Sequence, residues 1–357
     1  MKRFVLVFAL IIGLLTSAST LQAQVNMSRY ITLTVTNGAA IKLDFKAASA
    51  GTPIRIISGT NMQNITVGTD WYNNNVPSTF TVTARASTMI IYGDITGFKC
   101  VGNYANLTAL DPSHNTQLTE LSCFDNKLNS LDVSNNTQLT SLGCSSNNLT
   151  SLDVSGCTQL TVLGCFNNQL SSLDVSKNTQ LTTLNCSSNT LSSLDVSKNT
   201  QLTTLYCYGN NFSTAALDDI YCALPVRQAS DNARIQPVYD SSSSNHATVL
   251  ATNKANAIAK NWKVLYDDGG ADIPTTGSYD CSTAVAEATA EQALTLYPNP
   301  VADVLYLSAT ARTIRVYDMY GTEVAHATDT DRVEVSHLPA GIYTVIADGT
   351  VAKMVKR

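Results

Sequence analysis

Five cysteines recur at a fixed interval: Cys123, Cys144, Cys165, Cys186 and Cys207, each twenty-one residues after the last. Cysteine can ligate a metal, pair as a disulfide or act as a nucleophile, and the spacing decides among these. A tetrahedral thiolate site needs ligands that converge on one point. An in-register column gives a line of sulfurs instead, and no histidine accompanies it. Disulfides between successive members are equally unsuited, because neighbours held side by side point their Cβ vectors the same way. What remains is a column of small buried hydrophobes that lets the backbone pack closely. Four aspartates, Asp132, Asp153, Asp174 and Asp195, recur with the same period. Adjacent carboxylates could share a hard cation, but the acidic density is low, and solvation or a local turn accounts for them. His114, His246, His326 and His337 are scattered, and no H-E-x-x-H, G-x-S-x-G or phosphate loop occurs. No nucleophile is assembled with a base. The chain reads as a non-enzyme with no metal and no cofactor.

These columns belong to a repeat running from Leu118 to Phe212. Aligned units read LTELSCFDNKLNSLDVSNNTQ, LTSLGCSSNNLTSLDVSGCTQ, LTVLGCFNNQLSSLDVSKNTQ and LTTLNCSSNTLSSLDVSKNTQ, then a truncated LTTLYCYGNNF. A period near twenty signals a solenoid. In Leu-x-Cys the side chains alternate across a short strand, so Leu121 and Cys123 face inward while Glu120, Ser122 and Phe124 face out. Single coils bury nothing alone; stacked about 4.8 Å apart, they enclose a continuous core. The column Asn126, Asn147, Asn168, Asn189 and Asn210 is expected to turn inward and bond the backbone of its own and the next coil. Leu-Asp-Val-Ser adds inward Leu and Val on the convex side, and polar Asn-Thr-Gln turns the chain back. Cys157 replaces the asparagine found at 136, 178 and 199, and reads as a tolerated thiol in that polar turn.

The columns fit the leucine-rich-repeat pattern L-x-x-L-x-L-x-x-N-x-L with cysteine in the third apolar position. With Leu-Asp-Val-Ser following, the stretch Leu107–Phe212 resembles the cysteine-ladder repeats of internalin-J-type bacterial surface adhesins. The resemblance concerns fold and ladder and carries over no ligand.

The flanks divide the 357 residues further. Residues 1–23 read as a signal peptide: Lys2 and Arg3, an apolar run from Phe4 to Leu15, then small residues to Ala23. The apolar run is too short to span a bilayer. Residues 24–94 switch to period two (Ile31-Thr-Leu33-Thr-Val35, Ile41-Lys-Leu43-Asp-Phe45), with turns at Asn37-Gly38 and Gly51-Thr-Pro53. An antiparallel β-sandwich is expected here, abutting and capping the open end of the solenoid at 95–213. Phe98-Lys-Cys100-Val-Gly-Asn103 looks like a degenerate first repeat, two residues too far from Cys123. A mixed C-terminal cap at 214–281 opens with a helix at Ser213–Leu224. Cys222 and Cys281 fall outside the ladder, and an exported chain favours their pairing. Residues 282–293 are a low-complexity linker.

The tail, 294–357, carries Tyr297-Pro298-Asn299-Pro300-Val301, Asp318-Met-Tyr-Gly321, Leu338-Pro-Ala-Gly341-Ile-Tyr343 and a basic end with Lys353 and Lys356. The pattern alone is a short-stranded, Ig-like antiparallel β-sandwich. As an ordered set these motifs resemble the C-terminal sorting domain of the bacterial type IX secretion system. The resemblance implies export to the periplasm, then across the outer membrane, with removal of the tail and attachment to the surface in the family.

The fold class is thus mainly β with short helices. Only 14% of residues are charged, the net charge is −5, and no basic run points to nucleic acid. Catalysis being unsupported, the exposed sheet is the candidate interaction face. Its outward positions are nearly uncharged and carry Glu120, Phe124, Phe166, Asn185, Tyr206 and Tyr208. Exposed aromatics in such a setting suit a protein hot spot or stacking on sugar rings. The expectation is a monomeric surface protein binding a protein or carbohydrate. The rival is a structural surface-layer or biofilm-matrix protein without a specific ligand.

Overall fold

The computed structural model describes residues 24–71, 80–281, 296–318, 322–347 and 350–357. The signal segment at 1–23, the linker at 282–293 and Gly321 lie outside the described residues. Two compact units are present, Met1–Tyr279 and Asp280–Arg357.

In the first unit, alternating apolar residues build eight strands before the regular repeats. They are β1 (Tyr30–Val35), β2 (Ala40–Ala47), β3 (Thr52–Ser58), β4 (Asn61–Val67), β5 (Phe80–Thr83), β6 (Thr88–Tyr92), β7 (Ile95–Lys99) and β8 (Leu107–Asp111). One sheet has the order β4-β3-β6-β1-β8. Five three-residue strands follow, one per coil: β9 (Glu120–Ser122), β10 (Ser141–Gly143), β11 (Val162–Gly164), β12 (Thr183–Asn185) and β13 (Thr204–Tyr206). They pair parallel and in register, so Leu121, Leu142, Leu163, Leu184 and Leu205 form one buried row.

The sandwich does not merely abut the first coil. β7 pairs antiparallel with β2 on one side and parallel with β9 on the other, placing Phe98 beside Leu121. A single ten-stranded sheet therefore runs from β5 through the coils to the cap. Cys100 is the buried first rung, and Asn103 bonds Lys42 of β2 where later asparagines bond a coil. Part of the extra length before Cys123 forms β8, which leaves the solenoid to pair with β1. The boundary expected near residue 94 is a seam inside one core that extends from Ile31 to Ile273.

Ser213 caps α1 (Thr214–Ala223) by accepting the Ala216 amide at 3.1 Å. β14 (Arg234–Val238), α2 (His246–Leu250), α3 (Ala255–Ile258) and β15 (Lys263–Tyr266) complete the unit. β14 and β15 continue the parallel sheet. Buried Trp262 closes the end, its indole N–H donating to Pro225 O at 2.8 Å. Cys222 and Cys281 are both disulfide-bonded.

The second unit is antiparallel: β16 (Leu296–Tyr297), β17 (Val304–Tyr317), β18 (Glu323–Glu334), β19 (Gly341–Ala347) and β20 (Thr350–Lys356). They form one five-stranded sheet over a core of Val301, Leu305, Ile314, Val335, Val345 and Met354. Asn299, between Pro298 and Pro300, pins the last strand: its Nδ2 donates to Lys353 O and its Oδ1 accepts from Val355 N, each at 2.8 Å. Lys356 is buried at 8% exposure, its ammonium donating to Arg357 O.

Candidate functional site

The ladder sets the geometry of the exposed face. Every ladder thiol is free and buried, and burial pushes the Cys144 and Cys186 thiols up to about 12. A thiol so far from ionising is a poor nucleophile at neutral pH. The side chains of the asparagine column bond their own and the preceding coil, while the backbone amides of Asn126 and Asn168 donate to Ser146 O and Ser188 O of the next. Asn168 Nδ2 donates to Cys165 O and to Cys144 O, and its Oδ1 accepts from Leu149 N. The direction follows from the chain's path, which brings each asparagine level with the carbonyl of the strand below. Asn126, Asn147, Asn189 and Asn210 repeat the carbonyl bonds.

A second ladder lies where a merely polar turn was expected. Asn136, Asn178 and Asn199 are fully buried, and each amide donates to two carbonyls of the preceding coil. Cys157 is buried in the same position and aims its thiol at the equivalent acceptors, Val133 O and Asn136 O. The convex aspartates make local turns: Asp132, Asp153, Asp174 and Asp195 accept the amides of Ser134, Ser155, Ser176 and Ser197. Those serine hydrogen bonds hold the first three carboxyls below the usual range. Among the described residues no cluster of three His, Cys, Asp or Glu side chains could hold a metal ion.

On the concave face, a shallow depression of about 430 Å³ occupies the half nearest the sandwich. Its floor contains Gly143 and Gly164, which stand side by side on β10 and β11. Phe124 and Phe166, 39% and 37% exposed, flank Ser145 along one edge. They lie two rungs apart, about 10 Å. Trp71 and Lys99 close the sandwich end, and Glu120, Ser122, Ser141 and Val162 complete the wall. Trp71 lies against Gly97, where an added Cβ would come 2.8 Å from the indole and 2.9 Å from Lys46 Cβ. Any side chain at 97 would displace the ring. Lys99 Nζ sits over that ring, 3.6 Å from its centroid.

Three of the six residues expected on this face, Glu120, Phe124 and Phe166, line the depression. Glu120 is held by an ion pair with Lys46. The other three lie outside it. Asn185 accepts the amide and hydroxyl of Ser187. Tyr206 accepts a hydrogen bond from Arg234 Nη2 at 3.1 Å, and Tyr208 packs on Tyr239 with centroids 5.6 Å apart. Thr204, Ser145 and Ser187, outward by alternation, are buried.

Trp71 and Lys99 escaped the sequence reading. Alternation around inward Phe98 and Cys100 would have placed Lys99 on the face. Trp71 had no such signal, since it lies outside any repeat.

Residues 137–178 match the family model of the leucine-rich repeats in two copies, and residues 295–357 match that of the secretion-system C-terminal sorting domain. No curated protein matches the chain. Solved structures with similarity include the functional domain of InlJ from Listeria monocytogenes, described as including a cysteine ladder. It is 22% identical over 74% of this chain and 67% of that one, with a TM-score of 0.36. An internalin, InlF, of the same species is 27% identical over 35% of this chain and 39% of its own, at 0.33. The leucine-rich-repeat domain of APL1B is 21% identical over 43% and 48%, at 0.31. Among the described residues no helix is long and apolar enough to cross a membrane. With the buried cysteine column and these two family matches in place, the chain is a cysteine-ladder leucine-rich-repeat protein carrying a type IX secretion sorting domain, which addresses it to the cell surface or the medium.

Proposed function

We propose that the protein is displayed or released at the cell surface to bind a partner through the sandwich-proximal half of its concave sheet. One observation carries this: two exposed phenylalanines flank a glycine-floored depression on the concave sheet. Exposed aromatic rings beside a concave apolar floor are the arrangement in which a few contacts supply most of the binding energy. The face beyond it, around Tyr206 and Tyr208, is engaged by Arg234 and Tyr239, which favours the first half as the contact surface. Among the described lining residues the one carboxylate, Glu120, is paired with Lys46.

The test fills the floor without disturbing the fold. A Cβ at Gly164 would meet nothing closer than Ser145 Oγ at 3.5 Å, an ordinary contact, and β-branched residues suit strands. Immobilised full-length protein and its Gly164→Val variant are screened against a random peptide display library and a glycan array. Saturable binding by the wild type that is lost in Gly164→Val, at unchanged Tm, supports the proposal. Binding that survives the substitution moves the site elsewhere and overturns it.

A further inference from the structure

Strand β4 ends one sheet of the sandwich, and its outer side is open to a further strand. We infer that a second copy of this chain pairs there, β4 against β4 about a two-fold axis at Asn64. This interface is separate from the concave face and does not depend on it.

Alternation fixes which backbone groups are open. β3 and β4 join through the two-residue turn Gly59-Thr60, and all seven residues of β4 pair with β3 without a register shift. Bonded positions alternate in an antiparallel pair, and the pair flanking a two-residue turn, here Ser58 and Asn61, is a bonded one. Asn61, Gln63, Ile65 and Val67 therefore turn their N–H and C=O groups to β3. Met62, Asn64 and Thr66 turn theirs away, and no strand of the sheet lies on that side.

Other edges of the chain are covered or blunted. Lys127 N donates to Leu107 O of β8, and β15 is bridged at Leu265 by Asp272. In the second unit β16 has two residues, and β18 carries Asp331, Arg332 and Glu334. β4 has no such device. Asn-Met-Gln-Asn-Ile-Thr-Val contains no charge, no proline and no bulge, and Met62 stands 59% exposed on it. A long, neutral, regular edge is a template for another strand.

Symmetry and charge name the occupant. A two-fold axis at Asn64 sets Asn64 opposite Asn64 and Met62 opposite Thr66 twice, so three bonded pairs each exchange two backbone hydrogen bonds. Residues 52–79 and 84–87, which comprise β3, β4 and the stretches adjoining their ends, hold three charges: Arg55, Asp70 and Arg85. Arg55 donates to Asn64 Oδ1 of its own sheet at 2.8 Å. Its two copies would stand three strand spacings apart, about 14 Å, which is beyond the Debye length. Arg85 lies at the turn end of β4, its carbonyl against Gly59, and Asp70 follows the far end. Among the described residues neither side chain forms an ion pair. Antiparallel pairing brings the turn end of one β4 beside the far end of the other, so each Arg85 faces Asp70 of the second copy. The chain expected as a monomer is then a reversible dimer where it is concentrated.

The experiment is analytical ultracentrifugation of the full-length protein over roughly 1–300 μM, where a reversible dimer should appear. Asn64→Glu opposes two carboxylates at the axis while giving Arg55 a partner in its own sheet, so the dimer should be lost at unchanged Tm. Asn64→Lys should be monomeric as well, and an equimolar mixture of the two variants should restore a dimer containing one of each. Asp70→Asn should raise the dimer Kd roughly two- to ten-fold at low salt. A wild type that stays monomeric throughout overturns the inference. So does a dimer that persists in Asn64→Glu, or a mixture that fails to pair. A monomeric wild type that retains an extended peptide, released by Asn64→Glu, assigns the edge to a foreign strand and overturns it too.

Discussion

Replacing Asn168 by alanine measures how strongly the inward asparagines tie coil to coil. The side chain accepts Leu149 N–H at 3.0 Å and donates to Cys144 O and Cys165 O at 3.1 Å each. These three losses are unequal. Cys144 O also accepts from Asn147, and Cys165 O also accepts from Asn189, so each carbonyl keeps a partner. The buried Leu149 N–H loses its acceptor outright, which costs about 1–3 kcal/mol, while each thinned carbonyl costs roughly 0.5–1 kcal/mol. Asn168→Ala should therefore destabilise by about 2–5 kcal/mol, a large part of the roughly 5–15 kcal/mol a domain possesses. The control is Asn148→Ala, which breaks only a 3.4 Å bond to Asn129 and should stay within about 0.5 kcal/mol of wild type. Urea unfolding of the full chain, followed by circular dichroism, gives both values. If Asn168→Ala falls within 1 kcal/mol of the control, the ladder is not what joins the coils.

The thiol ladder makes stability sensitive to alkali. Burial raises Cys144 and Cys186 from 9.0 to about 12, so stability is full below pH 9 and is lost as pH climbs toward 12, because unfolded thiols release protons that folded ones retain. Each thiol removes up to about 1.4 kcal/mol per pH unit in that window, and Cys144→Ala should reduce the slope by one proton; an unchanged slope in pH-dependent unfolding refutes the assignment. Ser213→Ala should cost about 1 kcal/mol by uncapping α1, read from the urea midpoint. Deleting residues 294–357 should leave the protein inside the cell envelope on fractionation; normal surface amounts would contradict the sorting role of the tail.

What could be read from the sequence was what repeats. Leu121, Cys123 and Asn126 recur with their neighbours in identical roles, so one unit explained five, and the alternation of Leu-x-Cys placed Phe124 and Phe166 on the exposed face. What could not be read depends on contacts that occur once. β8 joins β1, and β7 joins both β2 and β9, pairings that no local pattern encodes. Asn136 looks like the surface asparagines around it, yet it is buried because carbonyls of the coil below need donors. Trp71 belongs to the site only because Gly97 leaves room for its ring.

The central claim is that the partner sits between Phe124 and Phe166. Its most direct test places the photo-crosslinker p-benzoylphenylalanine at Phe166 in one exported chain and at Tyr206 in another, then irradiates each with the peptide selected by the wild type. The account predicts a covalent adduct from position 166 and none from 206. An adduct from 206, or from neither position while binding persists, would contradict it.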